Sequence, residues 1–467
     1  MFIKQLYTGC LSEAAYYIES EGEVAIIDPL RDTDEYLKLA KDSNAAIKYI
    51  FETHFHADFV SGHLDLSKQT GAPIIFGPGA KTGFKTHSSK DGEIFKLGKI
   101  SFEVMHTPGH TLESTCYLLR DENEKPHAIF TGDTLFVGDV GRPDLSSGNM
   151  SSEELAGIMY DTIQNKLLPL ADDILVYPAH GAGSSCGKNM GPETFSTIGE
   201  QKQNNYALQP QTKDEFIKAV TTGLSTAPKY FAINAKINME GYESLDDVKQ
   251  KGLTPLTVDE LKKLMEDDVL VLDTRHANVF TKGFIPDSVF IGLEGRFAEW
   301  AGSLLPFDKP IILITEPGKE EETVVRLSRV GFDHMQGYLK GGFDAWLNAG
   351  EKVDIIIDIE SDELAMDIPH DPNLLVLDVR RETEFADGHI VGAQNLSLSE
   401  MTDVLQLAQF EDKQNLYVHC AGGYRSVIAA SLLKRQGIHN LRNVLGGWGK
   451  IKEEKTIKVQ KEASVLN

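Results

Sequence analysis

The chain has 467 residues, 41% apolar and 25% charged, which is the balance of a soluble globular protein with room for about three domains. A formal net charge of −24 excludes a nucleic-acid polyanion as bulk partner, because such binding needs clustered Lys and Arg. Four scattered cysteines, no basic-then-apolar leader and no apolar run near ~20 residues predict a cytoplasmic protein without disulfide framework or membrane span.

Residues 1 to about 240 alternate short β-rich runs, such as EVAIIDP, ISFEVMHTPGH and AIFTGDTLFV, with helical stretches. That alternation predicts an α/β domain with polar groups gathered where strands end. Four ends carry ligand-type residues: His54 after IFET, His110 after VMHTPG, Asp133 after IFTG and His180 after LVYPA. His54 belongs to THFHADF (53–59), in which His56 and Asp58 add an imidazole and a carboxylate. Four strand ends carrying His or Asp in order point to a metal site. Phe59 follows Asp58, and an aromatic ring cannot coordinate.

The series THxHxD, GH, GD, PAH resembles the metallo-β-lactamase fold, an αββα sandwich, over residues 1–240. Many members are two-metal zinc hydrolases with His where this chain has Phe59. The resemblance without that ligand implies one metal, held most naturally by His54, His110 and Asp133. Two His and one carboxylate with open positions is the non-haem Fe(2+) arrangement. His56, Asp58 and His180 then orient ligands or bound water, or serve as further ligands. This subset resembles the persulfide dioxygenases, which use O2 to convert a thiol persulfide to sulfite and thiol. In GDVGRPDL (138–145), Arg142 either holds a carboxylate of the thiol or braces its own loop through Asp144. The loop GAGSSCGKNMG (181–191) can meet an anionic tail with backbone N–H groups. Cys186 in it is either a sulfur relay or a small loop residue.

Beyond the polar stretch 238–253, read as a linker, the sequence repeats itself at an offset of 105. VLDTR (271–275) recurs as VLDVR (376–380), GFIPDSVFIGL as GHIVGAQNLSL, and GGFDAW is echoed by GGWGKI. Each copy reads as a small α/β domain, 254–350 and 358–460, with EKVDIIIDIESDE (351–363) bridging them. In the second copy Cys420 opens the loop CAGGYR before a helix. N–H groups of Ala421, Gly422, Gly423 and Tyr424, the helix N-terminus and the Arg425 charge would stabilise a nucleophilic thiolate. In the first copy Thr315 (or Glu316) stands at the cysteine position, and Pro317 removes a donor.

The second copy resembles the rhodanese (sulfurtransferase) family, whose six-residue loop length it shares, with Asp378 and Arg380 as a buried supporting pair. The expected fold class is therefore an α/β multidomain chain: an αββα metallo-β-lactamase fold, an inactive rhodanese and an active one. The resemblance implies a persulfide dioxygenase–rhodanese fusion with one Fe(2+) per chain, serving sulfide detoxification. Its small-molecule partners would be a thiol persulfide, O2, and sulfite or thiosulfate, in a homo-oligomer. A thioester hydrolase of the glyoxalase II kind and a non-enzymatic sulfur carrier or persulfide sensor are the alternatives.

Overall fold

Every side chain but one in Glu13–Ser20 (EAAYYIES) is buried, because this strand is covered on both faces. The structure is a computed structural model describing all residues except 146–149, 225, 408–409, 411–413 and 463–467. The chain divides into two compact units: Met1–Asp247 with Val325–Asp333, and Val248–Val324 with His334–Asn467.

In the first unit, β1 (Phe2–Thr8), β2 (Glu13–Ser20), β3 (Glu23–Ile27), β4 (Ala46–Phe51), β5 (Ile74–Phe76) and β6 (His87–Ser88) lie side by side in that order. The first three are antiparallel and the last four run parallel. A second sheet holds β7 (Ile94–Leu97), β8 (Ile100–His106), β9 (Thr115–Arg120), β10 (Pro126–Gly132), β11 (Leu175–Pro178) and β12 (Ser196–Thr197), again in sequence. Only β10 and β11 of its neighbours are parallel.

Between the sheets, Tyr16, Ile27 and Phe51 pack on Phe102, Tyr117 and Phe130. Ring centroids there lie 4.6 Å apart for Phe51–Tyr117 and 4.9 Å for Tyr16–Phe130. On the outer faces, Tyr36 and Leu66 dock the helices Asp34–Asp42 and His63–Thr70, and Met159 and Phe216 dock Ser152–Thr162 and Lys213–Thr221. Helix, sheet, sheet, helix is the expected sandwich.

The second unit holds two further sheets with separate apolar cores. In the first, β13 (Pro255–Leu256), β14 (Leu270–Asp273), β15 (Val289–Phe290), β16 (Ile311–Ile314) and β17 (Met335–Leu339) are ordered β13-β17-β16-β14-β15, all parallel. In the second, β18 (Ile357–Ile359), β19 (Leu374–Asp378), β20 (His389–Ile390), β21 (Gln394–Asn395), β22 (Asn415–His419) and β23 (Leu441–Val444) give the order β18-β23-β22-β19-β21. There, β20 pairs instead with Val459–Gln460. The two orders are the same topology, as the repeat requires.

Two expectations change. The stretch 238–253 is mostly helical: it takes in the end of Tyr230–Glu240 and all of Leu245–Gly252, and Asn238 is buried. The bridge 351–363 supplies an edge strand, β18, to the second copy. Polar composition suggested exposure, but buried Asn238 is fully used by backbone partners. Among the described residues no helix is long and apolar enough to cross a membrane.

Candidate functional site

Strand ends place the ligand-type residues as the sequence implied. His54 follows β4, Asp133 ends β10, His180 follows β11, and His110 sits in the turn between β8 and β9. All four are 2% exposed. His110 and His54 bring Nε2 within 3.4 and 3.8 Å of Asp133 Oδ2. Their outer nitrogens are already engaged: His110 Nδ1 lies 2.8 Å from Arg142 O, and His54 Nδ1 lies 3.0 Å from Thr53 Oγ1. Thr53 donates its own hydroxyl to Asp28 (2.8 Å), so its oxygen accepts from His54. Both imidazoles therefore face Asp133 with bare nitrogens. Burial, then the neighbouring imidazoles, holds His54 well below its usual pKa and so neutral. Neither Asp133 oxygen has a hydrogen-bond partner. Three converging acceptors without a donor fit a cation, and the donor set fits Fe(2+).

His56 has partners on two sides. Its Nε2 lies 3.1 Å from Asp28 Oδ1 and 3.5 Å from Glu52 Oε2, its Nδ1 is buried without a hydrogen-bond partner, and one of its ring nitrogens lies within 4.8 Å of donor atoms of Asp58 and His180. Burial opposes its charged form, but Asp28, Glu52 and Asp58 outweigh that and push its pKa up to about 10. Its ring is buried and packs on Phe59 within the same loop. Glu13, fully buried beside it, has both carboxylate oxygens unpartnered, and burial raises its carboxyl well above the usual range.

Phe59 is fully buried, with its ring 4.3 Å from that of His56. Asn238 clamps this turn by donating to His56 O and Phe59 O (both 2.8 Å) and accepting from Ser61 N. Composition hid this role, since only the fold brings Asn238 to the motif. Asp58 and His180 stand together, Oδ2 to Nε2 3.5 Å. Arg142 is 2% exposed and binds Asp144 through Nε (3.0 Å) and Nη2 (2.7 Å), besides Ser185 O. That is the loop-bracing arrangement. Cys186, also 2% exposed, lies with Asp133 and His180 in one cluster of donors. Burial, then the Asp58 and Asp133 charges, raises its thiol well above the usual value.

In the second unit, Cys420 follows β22 and begins the loop to the helix Tyr424–Arg435. Gly423 N–H donates to Cys420 Sγ (3.1 Å), with Ser426 Oγ 3.6 Å away. Gly423 has φ +106, a backbone that suits glycine. The glycines of LGGW hold the loop from below. Trp448 N–H donates to Cys420 O (2.7 Å), and a Cβ at Gly447 would fall 2.2 Å from that oxygen. Arg425 forms two bonds to Glu384 (2.7 and 2.8 Å), so its charge is compensated rather than spent on the thiolate alone. Glu384 was not singled out by sequence, because its partner is 41 positions away.

The first copy keeps the scaffold. Arg275 binds Asp273 and Gly283 O as Arg380 binds Asp378 and Gly388 O. Thr274 N–H bonds Ile314 O, and Val379 N–H bonds His419 O, so Thr315 stands where Cys420 stands. The silent copy also grips the active one. Tyr424 OH donates to Gly292 O (2.7 Å), and Ser431 Oγ accepts from Phe290 N at the sheet edge (3.0 Å).

Comparison with known proteins gives the same division. The model of the metallo-beta-lactamase superfamily matches residues 8–180, and that of the rhodanese-like domain matches 257–349 and 361–454. Hydroxyacylglutathione hydrolase GloC of Haemophilus influenzae is 30% identical over 216 residues, 42% of this chain and 91% of that protein. A metallo-beta-lactamase structure from Staphylococcus aureus matches with TM-score 0.64 and 33% identity, over 73% of this chain and 98% of that one. The structure of ETHE1 from Myxococcus xanthus matches with TM-score 0.45 and 28% identity, over 51% and 98%.

Proposed function

The chain belongs to the metallo-beta-lactamase superfamily and carries two rhodanese-like domains, and on that premise we propose that it oxidises a small thiol persulfide with O2. The products are sulfite and thiol, and Cys420 transfers sulfane sulfur. The observation that carries this reading is Phe59, buried against His56 where a second metal would want a ligand. His54, His110 and Asp133 remain as a complete two-His-one-carboxylate set.

Bound there, Fe(2+) would supply what side chains lack, the reaction of O2 with a sulfur anion. Thr53 and Arg142 O keep the two imidazoles turned inward. Phe59 and Phe136, whose ring lies 6.0 Å from that of His180, exclude water from the flanks. Persulfide, O2 and water become thiol, sulfite and two protons. Burial raises the Asp58 carboxyl, and its unpartnered Oδ1 is placed to take one of those protons. In the second unit, Gly423 N–H steadies the Cys420 thiolate. A Cys420 persulfide hands its outer sulfur to sulfite: the S–S bond breaks, the thiolate leaves, and thiosulfate forms.

A thioester hydrolase is the second reading, favoured by the retained Asp58 and His180 and by the similarity to hydroxyacylglutathione hydrolase. One experiment separates the two. The protein is purified anaerobically, its metal determined, and O2 uptake followed with a thiol persulfide and with a glutathione thioester. One iron per chain and persulfide-dependent O2 loss are expected. Two zincs, thioester hydrolysis and no O2 uptake would overturn the reading.

A further inference from the structure

The loop 54–61 takes hydrogen bonds from residues well outside the 8–180 segment that matches the metallo-beta-lactamase superfamily. Asn238 holds His56 O, Phe59 O and Ser61 N, and Tyr242 donates its hydroxyl to Ser61 O. Val60 lies between two of those clamped residues, and its own N–H donates to Arg329 O (2.7 Å). By sequence Arg329 belongs to the first copy of the repeat, inside the 257–349 match to the rhodanese-like domain. In space it belongs to the first unit, which takes in Val325–Asp333.

Reciprocal ion pairs fix that carbonyl. Arg329 forms a two-pronged pair with Asp32, Nε to Oδ1 and Nη2 to Oδ2, both 2.8 Å. The residue before Asp32, Arg31, is fully buried and forms the matching pair with Asp333 (2.5 and 2.8 Å). Arg31 also donates to Ser328 O (3.0 Å) and Glu243 O (2.7 Å). Forked pairs of this kind set orientation as well as position. A buried guanidinium left without partners is costly, so Arg31 keeps Ser328 and Asp333 in place on either side of Arg329. The segment that supplies Arg31 and Asp32 is itself bridged to the loop, Leu30 to Ser61.

From Val60 the constraint reaches the candidate ligands through packed rings. Phe59, the preceding residue, has its ring 4.3 Å from that of His56, and the His56 ring lies 4.2 Å from that of His54. All three rings are buried, and a close-packed interior transmits displacement. We propose that Arg329 is a positioning residue of the metal loop: its carbonyl holds Val60, and its guanidinium, locked on Asp32, holds the carbonyl. The first copy of the repeat, with Thr315 at the cysteine position, thereby supplies part of the metal-binding unit. The assignment rests on His54, His110 and Asp133 as metal ligands and on no particular reaction there.

The test compares full-length R329A, R329K and D32N with the wild type. In the metal-free protein, amide exchange at the peptide holding Val60 is expected to be at least ~10-fold faster in R329A and D32N. R329K keeps the charge but loses the fork, and should lie between. The double variant D32N/R329A should be no faster than either single variant, because both break one pair. K309A breaks the exposed Lys309–Asp268 pair elsewhere in the first copy and should change nothing at Val60. Loaded anaerobically with one equivalent of Fe(2+), R329A should release it to a chelator at least ~10-fold faster than the wild type. Where R329A fails to fold, D32N and R329K carry the comparison. Unchanged exchange at Val60, faster exchange throughout the first unit, or unchanged iron release overturns the proposal. A wild type that holds no iron overturns it together with the metal reading, whereas absence of persulfide-dependent O2 uptake leaves it standing.

Discussion

At Phe59 a side chain that binds nothing shapes the site by occupying space. Its ring is fully buried on His56, so F59A should cost about 3–5 kcal/mol in urea unfolding, the usual cost of emptying a buried phenylalanine site. Glu384 works by charge. Burial raises its carboxyl, but the two bonds from Arg425 lower it further, to below the usual 4.5. The folded pKa lies under the unfolded one, so the pair's stabilisation is complete above about pH 4.5 and is lost as pH falls through the folded value. The melting-temperature gap between wild type and E384Q, open at pH 6, should therefore close in acid. Cys116 shows the opposite case of an inert thiol: burial pushes it up to about 11.

Among elements, the helix Tyr424–Arg435 joins the two copies of the repeat. Its first residue bonds Gly292 O, and Ser431, two turns on, caps Phe290 N of edge strand β15. A Cβ at Gly292 would fall 3.0 Å from Phe290 Cζ and 3.2 Å from Arg275 O and Tyr424 Cε2, so an added methyl would press on both rings by a few tenths of an ångström. Y424F loosens the first turn, and G292A crowds it from the silent copy. Each should slow sulfur transfer to sulfite by roughly 10-fold, since small misplacements at a reacting group are costly. O2 uptake with a persulfide should be unchanged in both, as measured with an oxygen electrode. The first copy thus touches the helix that follows Cys420 at its first residue and again at Ser431.

For the molecule as a whole, two chemistries on one chain should be separable. C420S is expected to leave sulfite formation from a persulfide intact and to abolish thiosulfate formation, read by separating the two anions. Loss of both would show that they are one activity. The sandwich, the repeat and the positions of His54, His110, Asp133, His180 and Cys420 were legible because each sits at a strand end or in a loop of fixed spacing. Local sequence also settled that Phe59 cannot be a ligand. Orientation was not legible. His56 turns to Asp28 and Glu52, Arg142 turns to Asp144, Arg425 finds Glu384, and Cys186 comes up against Asp133 and His180. Each of those outcomes is set by which partner the fold brings within about 3–5 Å, and charge and hydrogen-bond pairing act at that range regardless of distance along the chain. The sequence by itself determined which chemical groups are available and roughly where strands deliver them. Only the tertiary structure decided which groups face one another.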